Sequence, residues 1–231
     1  MTTSPKNVRI PQPVARPNRL PIPLPRSPVE RDSSDISYWG RLTDGSLVLV
    51  RPLRDGERVP VLEVFADMSP ISRYLRFLTP MKELSPAMVE RLTTLDGQDR
   101  VAWGAFSEGR CIGVVRYVQL VDRPGTADVA FEVVDRMHRR GVGRLLLGVL
   151  ASAAEANGIT AFTLTVHPEN SGSLGLTRAL SARFRFVDGL YEGELPVAAV
   201  LGDGRVRQQL DGVGLQHHIA FAPWVAVDRA A

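Results

Sequence analysis

Hydrophobic and polar positions change period several times between residues 40 and 196, and each change marks an element. "GSLVLVRPL", after the turn "TDG", alternates as a first strand. "DGERVPVLEVFADM" has helical spacing, with Asp55 as the expected N-cap. "SPISRYLRFL" and "SPAMVERLTTL" both open on Ser-Pro, so Ser69 and Ser85 supply side-chain caps and Pro70 and Pro86 fit the first helical turn. "RVAWGAFSEGRCIGVVRYVQL" predicts two antiparallel strands joined at Glu108-Gly109. In "TADVAFEVV", Val129, Phe131 and Val133 alternate with Asp128, Ala130 and Glu132 as a further strand. Leu145, Leu146, Val149, Leu150 and Ala153 then recur at helical spacing, and Asn157-Gly158 stops that helix. "ITAFTLTVHPEN" predicts a strand, "SGSLGLTRALSARF" a short helix and "FRFVDGLYEGELPV" a closing pair of strands.

The ends read differently. Residues 1–35 hold eight of the seventeen prolines and no period, which predicts a disordered or polyproline-like arm. Residues 197–231 form a C-terminal extension, with "LGDGRV" as a turn and an extra hairpin as the expected structure.

Composition changes this picture in two places. A pI of 9.4 suggests a nucleic-acid partner, but residues 1–31 carry +5 of charge, leaving −2 of the +3 total on the remaining 200 residues. The folded part is therefore not a basic surface, and no nucleic-acid partner is expected. The chain has no apolar run long enough for a membrane span and a proline-rich start where a signal peptide needs an apolar core. Its single cysteine, Cys111, lies in an apolar alternation and reads as a core residue. A cytoplasmic protein without membrane contact is expected.

The chemistry concentrates in "HRRGVGRLLLGVL", residues 138–150. A strand, a glycine-containing loop and a helix bring the unpaired N–H groups of the first helical turn and the positive end of its dipole to one point, which favours anions. Gly141 and Gly143 allow close backbone approach, and Arg139, Arg140 and Arg144 can add charge. The spacing is neither that of the P-loop nor G-x-G-x-x-G, so by itself it leaves a phosphate loop and a plain helix start both open. His138, His167, His217 and His218 lack metal-ligand spacing, no metal is expected, and no nucleophile elbow is present.

The element order together with "VVDRMHRRGVGRLLLGVL" resembles the GNAT family of acyl-CoA-dependent N-acyltransferases, whose signature Gln/Arg-x-x-Gly-x-Gly/Ala corresponds to His138-Arg139-Arg140-Gly141-Val142-Gly143. His138 departs from the usual Gln or Arg. The resemblance covers residues 40–196. It implies a GNAT fold of the α/β (α+β) class, with a mixed, mostly antiparallel sheet splayed between its fourth and fifth strands and flanked by helices. It also implies acetyl-CoA as acyl donor. The N–H groups from Arg139 to Arg144 would then hold the CoA pyrophosphate, and the main chain of Val133 and Val134 would pair with the pantetheine arm. "FADMSPISRYLRFLTP", "LTTLDGQDRVAW" and "TADVAFEVVDRMHRRGVG" look like the Pat-type bacterial protein lysine acetyltransferases. Such proteins often carry an added ligand-binding region, for which 231 residues leave no room.

Acyl transfer from a thioester needs a neutral amine, whereas a free lysine has a pKa of about 10.4. The family's strand glutamate corresponds to Asp128, one methylene shorter, and Glu132 on the same strand face is the alternative base. Asn170 matches a pantetheine-binding asparagine and equally fits a helix cap. Thr177 stands where many members have a proton-donating tyrosine. Arg73, Tyr74, Arg76 and Phe77 fall in the helices that border the acceptor groove, and Arg73 and Arg76 share a helix face. Three functions follow: acetylation of a protein lysine, acetylation of a small amine, or acyl-CoA binding without catalysis. Oligomeric state is left open.

Overall fold

In the computed structural model, which describes residues 37–211, one sheet joins eight strands in the order β1-β2-β3-β4-β5-β6-β8-β7. These are β1 (Tyr38–Arg41), β2 (Leu47–Pro52), β3 (Arg100–Ser107), β4 (Arg110–Gln119), β5 (Thr126–Val133), β6 (Ala161–Val166), β7 (Arg183–Val187) and β8 (Leu190–Pro196). The arm over 1–35 and the end of the C-terminal extension from residue 212 lie outside the described residues. The joins Glu108-Gly109 and Asp188-Gly189 both have two positive φ angles, the backbone a two-residue hairpin turn needs.

Every adjacent pair is antiparallel except β5 with β6. That parallel pairing covers only Thr126↔Ala161, Ala127↔Phe162 and Asp128↔Thr163. Beyond it β5 runs on to Val133 and β6 to Val166 without pairing to each other, so the sheet splays there.

Helices α1 (Val59–Ala66), α2 (Pro70–Phe77) and α3 (Pro86–Thr93) cover one sheet face. Ser69 and Ser85 cap α2 and α3 as the Ser-Pro pairs predict, accepting the N–H groups of Ser72 and Met88. Asp55 does not cap α1. It accepts the N–H of Leu95, because a turn through Gly56 separates it from the first helical residue.

Helix α4 (Val142–Ala156) lies on the other face and places Leu145, Leu146, Val149, Leu150 and Ala153 in the core, each at most 3% exposed. β1 has too few residues to show alternation in sequence; it pairs with β2, stacks Tyr38 on Trp103 and lets Leu145 pack against Gly40. Cys111 is buried, and desolvation pushes its thiol pKa up to about 12, as suits a core residue. Helix α5 (Ser171–Ala179) follows β6.

The hairpin expected after residue 196 does not form over the described residues. α6 (Val197–Gly202) and α7 (Gly204–Asp211) pack on α4 instead. "LGDG" joins two helices because Asp203 accepts the N–H groups of Arg205 and Val206, a helix cap in place of a strand turn. Among the described residues no helix is long and apolar enough to cross a membrane.

Candidate active site

The loop after β5 begins with a single 3-10 turn (Asp135–Met137) and enters α4 through Arg139 (φ 60°) and Gly141 (φ 92°). The first intrahelical bond runs from Leu145 N–H to Gly141 C=O. The N–H groups of Val142, Gly143 and Arg144 therefore have no acceptor within the helix. With the helix dipole they make a cradle suited to an anion, where β5 leads into α4 beside the β5–β6 gap.

The arginines of this loop do not act together. Arg140 is paired with Asp44 and also reaches Met137 Sδ. Arg144 is ion-paired with Asp203 at 2.8 Å. Only Arg139 is exposed and without a charged partner among the described residues, so the expectation that all three add charge to the cradle is corrected. The glycines also serve packing. A Cβ on Gly143 would meet Leu176 of α5 at 3.1 Å, and one on Gly141 would lie 2.6 Å from Gln209 Nε2 of α7.

Along the gap, hydrogen bonding decides which main-chain groups are available. Val134 donates to Ile112 C=O and accepts from Met137 N–H, so both its groups are engaged and it does not extend the sheet. Strand alternation then points the groups of Val133 and Phe131 into the gap. The sequence reading named Val134 and missed Phe131; the period of two was the available signal. His138 Nε2 lies 2.8 Å from Val133 C=O, a contact that requires the ring proton on that nitrogen.

At the closed end of the gap, Asp128 occupies the last paired position of β5. It is open to solvent and 3.5 Å from the Thr163 hydroxyl, yet desolvation by the protein around it raises its pKa above the ordinary carboxylate value. Arg76, the Thr163 contact and Arg116 oppose that rise without cancelling it. Glu132 shares the strand face but not the environment: its side chain is 5% exposed and holds Arg76 Nε at 2.7 Å. Arg116, across from Ala130, is buried and donates to Arg91 C=O.

The matched segment and the architecture agree with known proteins. Residues 68–181 match the acetyltransferase (GNAT) family model. The crystal structure of the GNAT domain of S. lividans PAT superposes with a TM-score of 0.65 at 30% identity, covering 69% of this chain and 96% of that domain. The chain belongs to the GNAT acetyltransferase family. It is also 33% identical over 121 residues to an acetyltransferase of Pseudomonas aeruginosa, covering 51% of this chain, and 30% identical over 130 residues to acetyltransferase Pat of Mycolicibacterium smegmatis, covering 54%. It spans 64% and 38% of the lengths of those two relatives.

Two other positions that the resemblance singled out also make bonds within α5. Asn170 Oδ1 caps α5 by accepting the Ser173 N–H at 3.0 Å. Thr177 is fully buried and its hydroxyl donates to Ser173 C=O, so this position offers the GNAT site no acid. On α2, Arg73 donates to the carbonyls of Phe65, Ala66 and Lys82, turning away from the Arg76–Glu132 pair and bracing α1. Tyr74 packs edge-on against His167, and Phe77 against Phe65. Asp135, which the sequence reading passed over, accepts from Ser69 N–H and from the Ser69 and Ser72 hydroxyls, tying α2 to the cradle loop. No local signal marks it, since its partners lie more than 60 residues away.

Proposed function

We propose that this protein is an acetyl-CoA-dependent N-acetyltransferase that acts on a protein lysine, in the cytoplasm, with Asp128 as general base. The observation that carries the proposal is a gap in the sheet with an anion cradle at its mouth and an open carboxylate at its closed end. Val133 and Asp128 are separated along β5 by about 17 Å, a span suited to an extended pantetheine arm.

The N–H groups of Val142, Gly143 and Arg144 hold the pyrophosphate, with Arg139 adding charge. Phe131 offers its N–H and C=O, and Val133 its N–H, to the pantetheine amides, as a neighbouring strand would. Asp128, through a water, takes the proton from the acceptor ammonium. The freed amine attacks the thioester carbonyl, an N–C bond forms and the C–S bond breaks; the nitrogen releases its extra proton to solvent as the amide forms, and the departing thiolate takes one up from solvent. No covalent enzyme intermediate is needed.

Glu132 is the poorer candidate because it is buried and Arg76 occupies one of its oxygens. The raised Asp128 pKa favours proton uptake nearer neutrality. A solvent-open Asp128 and the resemblance to Pat-type enzymes support a protein acceptor, since a lysine on another protein must reach the base from outside.

Purified protein incubated with acetyl-CoA and a cell lysate should release CoA thiol and generate acetyl-lysine, and Asp128→Asn should abolish most of both. Thiol release with free amines alone would move the acceptor to small molecules. Tight acetyl-CoA binding without turnover on any acceptor would replace catalysis by acyl-CoA binding, a reading favoured by Thr177 at the tyrosine position.

A further inference from the structure

Buried carbonyls of the cradle loop need donors. Two such donors come from distant segments. Thr43 N–H, in the β1–β2 turn, donates to Arg140 C=O at 3.0 Å. Gln209 Nε2, on α7, donates to Gly141 C=O at 3.2 Å. Gln209 is 7% exposed, and its Oε1 is buried with no partner among the described residues.

That half-satisfied amide is informative. A buried polar atom without a partner opposes folding, so an apolar side chain of the same size would fill the position at least as well if packing were its purpose. α7 is already held by other contacts: Val206 fills the space beside Gly148, and Asp203, at the start of α7, lies against Arg144. What Gln209 adds is a side-chain donor that, beside the Leu145 N–H within α4, fixes the Gly141 carbonyl at the point where the chain turns at φ 92° into the cradle.

We infer that Gln209 is a positioning residue for the CoA pyrophosphate site, which makes α7, outside the family-matched segment 68–181, a working part of that site. The inference rests on the acetyl-CoA reading above. Gln209 does not touch the thioester or the acceptor, so its effect is confined to the diphosphate end of the donor.

The test compares full-length wild type with Gln209→Met and Gln209→Ala, using two acyl donors: acetyl-CoA, and S-acetylpantetheine, which has no pyrophosphate. The Kd for coenzyme A by calorimetry and the KM for acetyl-CoA should rise by about two- to tenfold, the range for one lost hydrogen bond between neutral groups. Expected alongside are an unchanged kcat at saturation, unchanged turnover of S-acetylpantetheine, and a Tm for Gln209→Met equal to or above wild type. Unchanged acetyl-CoA affinity in Gln209→Met overturns the inference. So does a parallel loss with both donors accompanied by a lower Tm, which would make Gln209 structural. If wild type itself fails to bind coenzyme A, the functional reading fails first and the inference with it, a result distinct from either of the others.

Discussion

Asp128 and Glu132 show how two carboxylates on one strand face come to differ. Glu132 is buried against a guanidinium, whereas Asp128 stands open where β5 and β6 part. Asp128→Asn should lower kcat by about 10²- to 10⁴-fold, the usual contribution of a general base. Glu132→Gln should mainly destabilise the protein, by about 1–3 kcal/mol in denaturant titration, through the weakened bond to Arg76. In wild type, kcat/KM should fall on acidification as Asp128 protonates, with the limb above the ordinary aspartate value of about 3.9 because its pKa is raised. The folded protein holds that proton more tightly than the unfolded chain, so the stability Asp128 contributes is present at low pH and lost as pH rises through its raised value. Asp128→Asn should therefore be at least as stable as wild type at pH 7, read as Tm. The carboxylate pair was legible from the period of two in "DVAFE"; their division of roles was not, because Arg76 lies 56 residues from Glu132.

Helix α2 has no fully buried residue and is held largely by polar links: Ser69 and Ser72 to Asp135, Arg76 to Glu132, and Arg73 to α1 carbonyls. Such an element should open before the core does. Burial tends to raise the Asp135 pKa, but hydrogen bonds from Ser72 and Ser69 together outweigh it and the pKa is lowered. Its contribution to folding is thus present at neutral pH and lost as pH falls through that lowered value. Ser69→Ala should destabilise by about 1 kcal/mol, and amide exchange should quicken across 70–77 before it changes in α4. At the start of α4, Gly141→Ala should weaken acetyl-CoA binding and lower Tm, since a Cβ at φ 92° would also crowd Gln209. The caps of α2 and α3, the hairpin turns and the stop of α4 were all legible, each depending on neighbours within a few residues. β1 and the two C-terminal helices were not, for their stability comes from packing on β2, β3 and α4.

The family-matched segment ends at residue 181, but the fold does not. β8 pairs with β6 along Ala161–Val166, and α6 and α7 close over α4. A chain ending at residue 181 should therefore lose its cooperative denaturant transition, because Phe162, Leu164 and the buried face of α4 would meet water. Local signals in the chain were enough to set the element order from β2 to β8, the anion loop and the family, since period, capping and turn chemistry act over a few residues. Tertiary packing alone chose which arginine stays free, which carboxylate is open and what holds the cradle: Asp44 neutralises Arg140 across 96 residues and Gln209 orients Gly141 across 68. Those choices depend on charge pairing and hydrogen bonding between segments that only the closed sheet brings together.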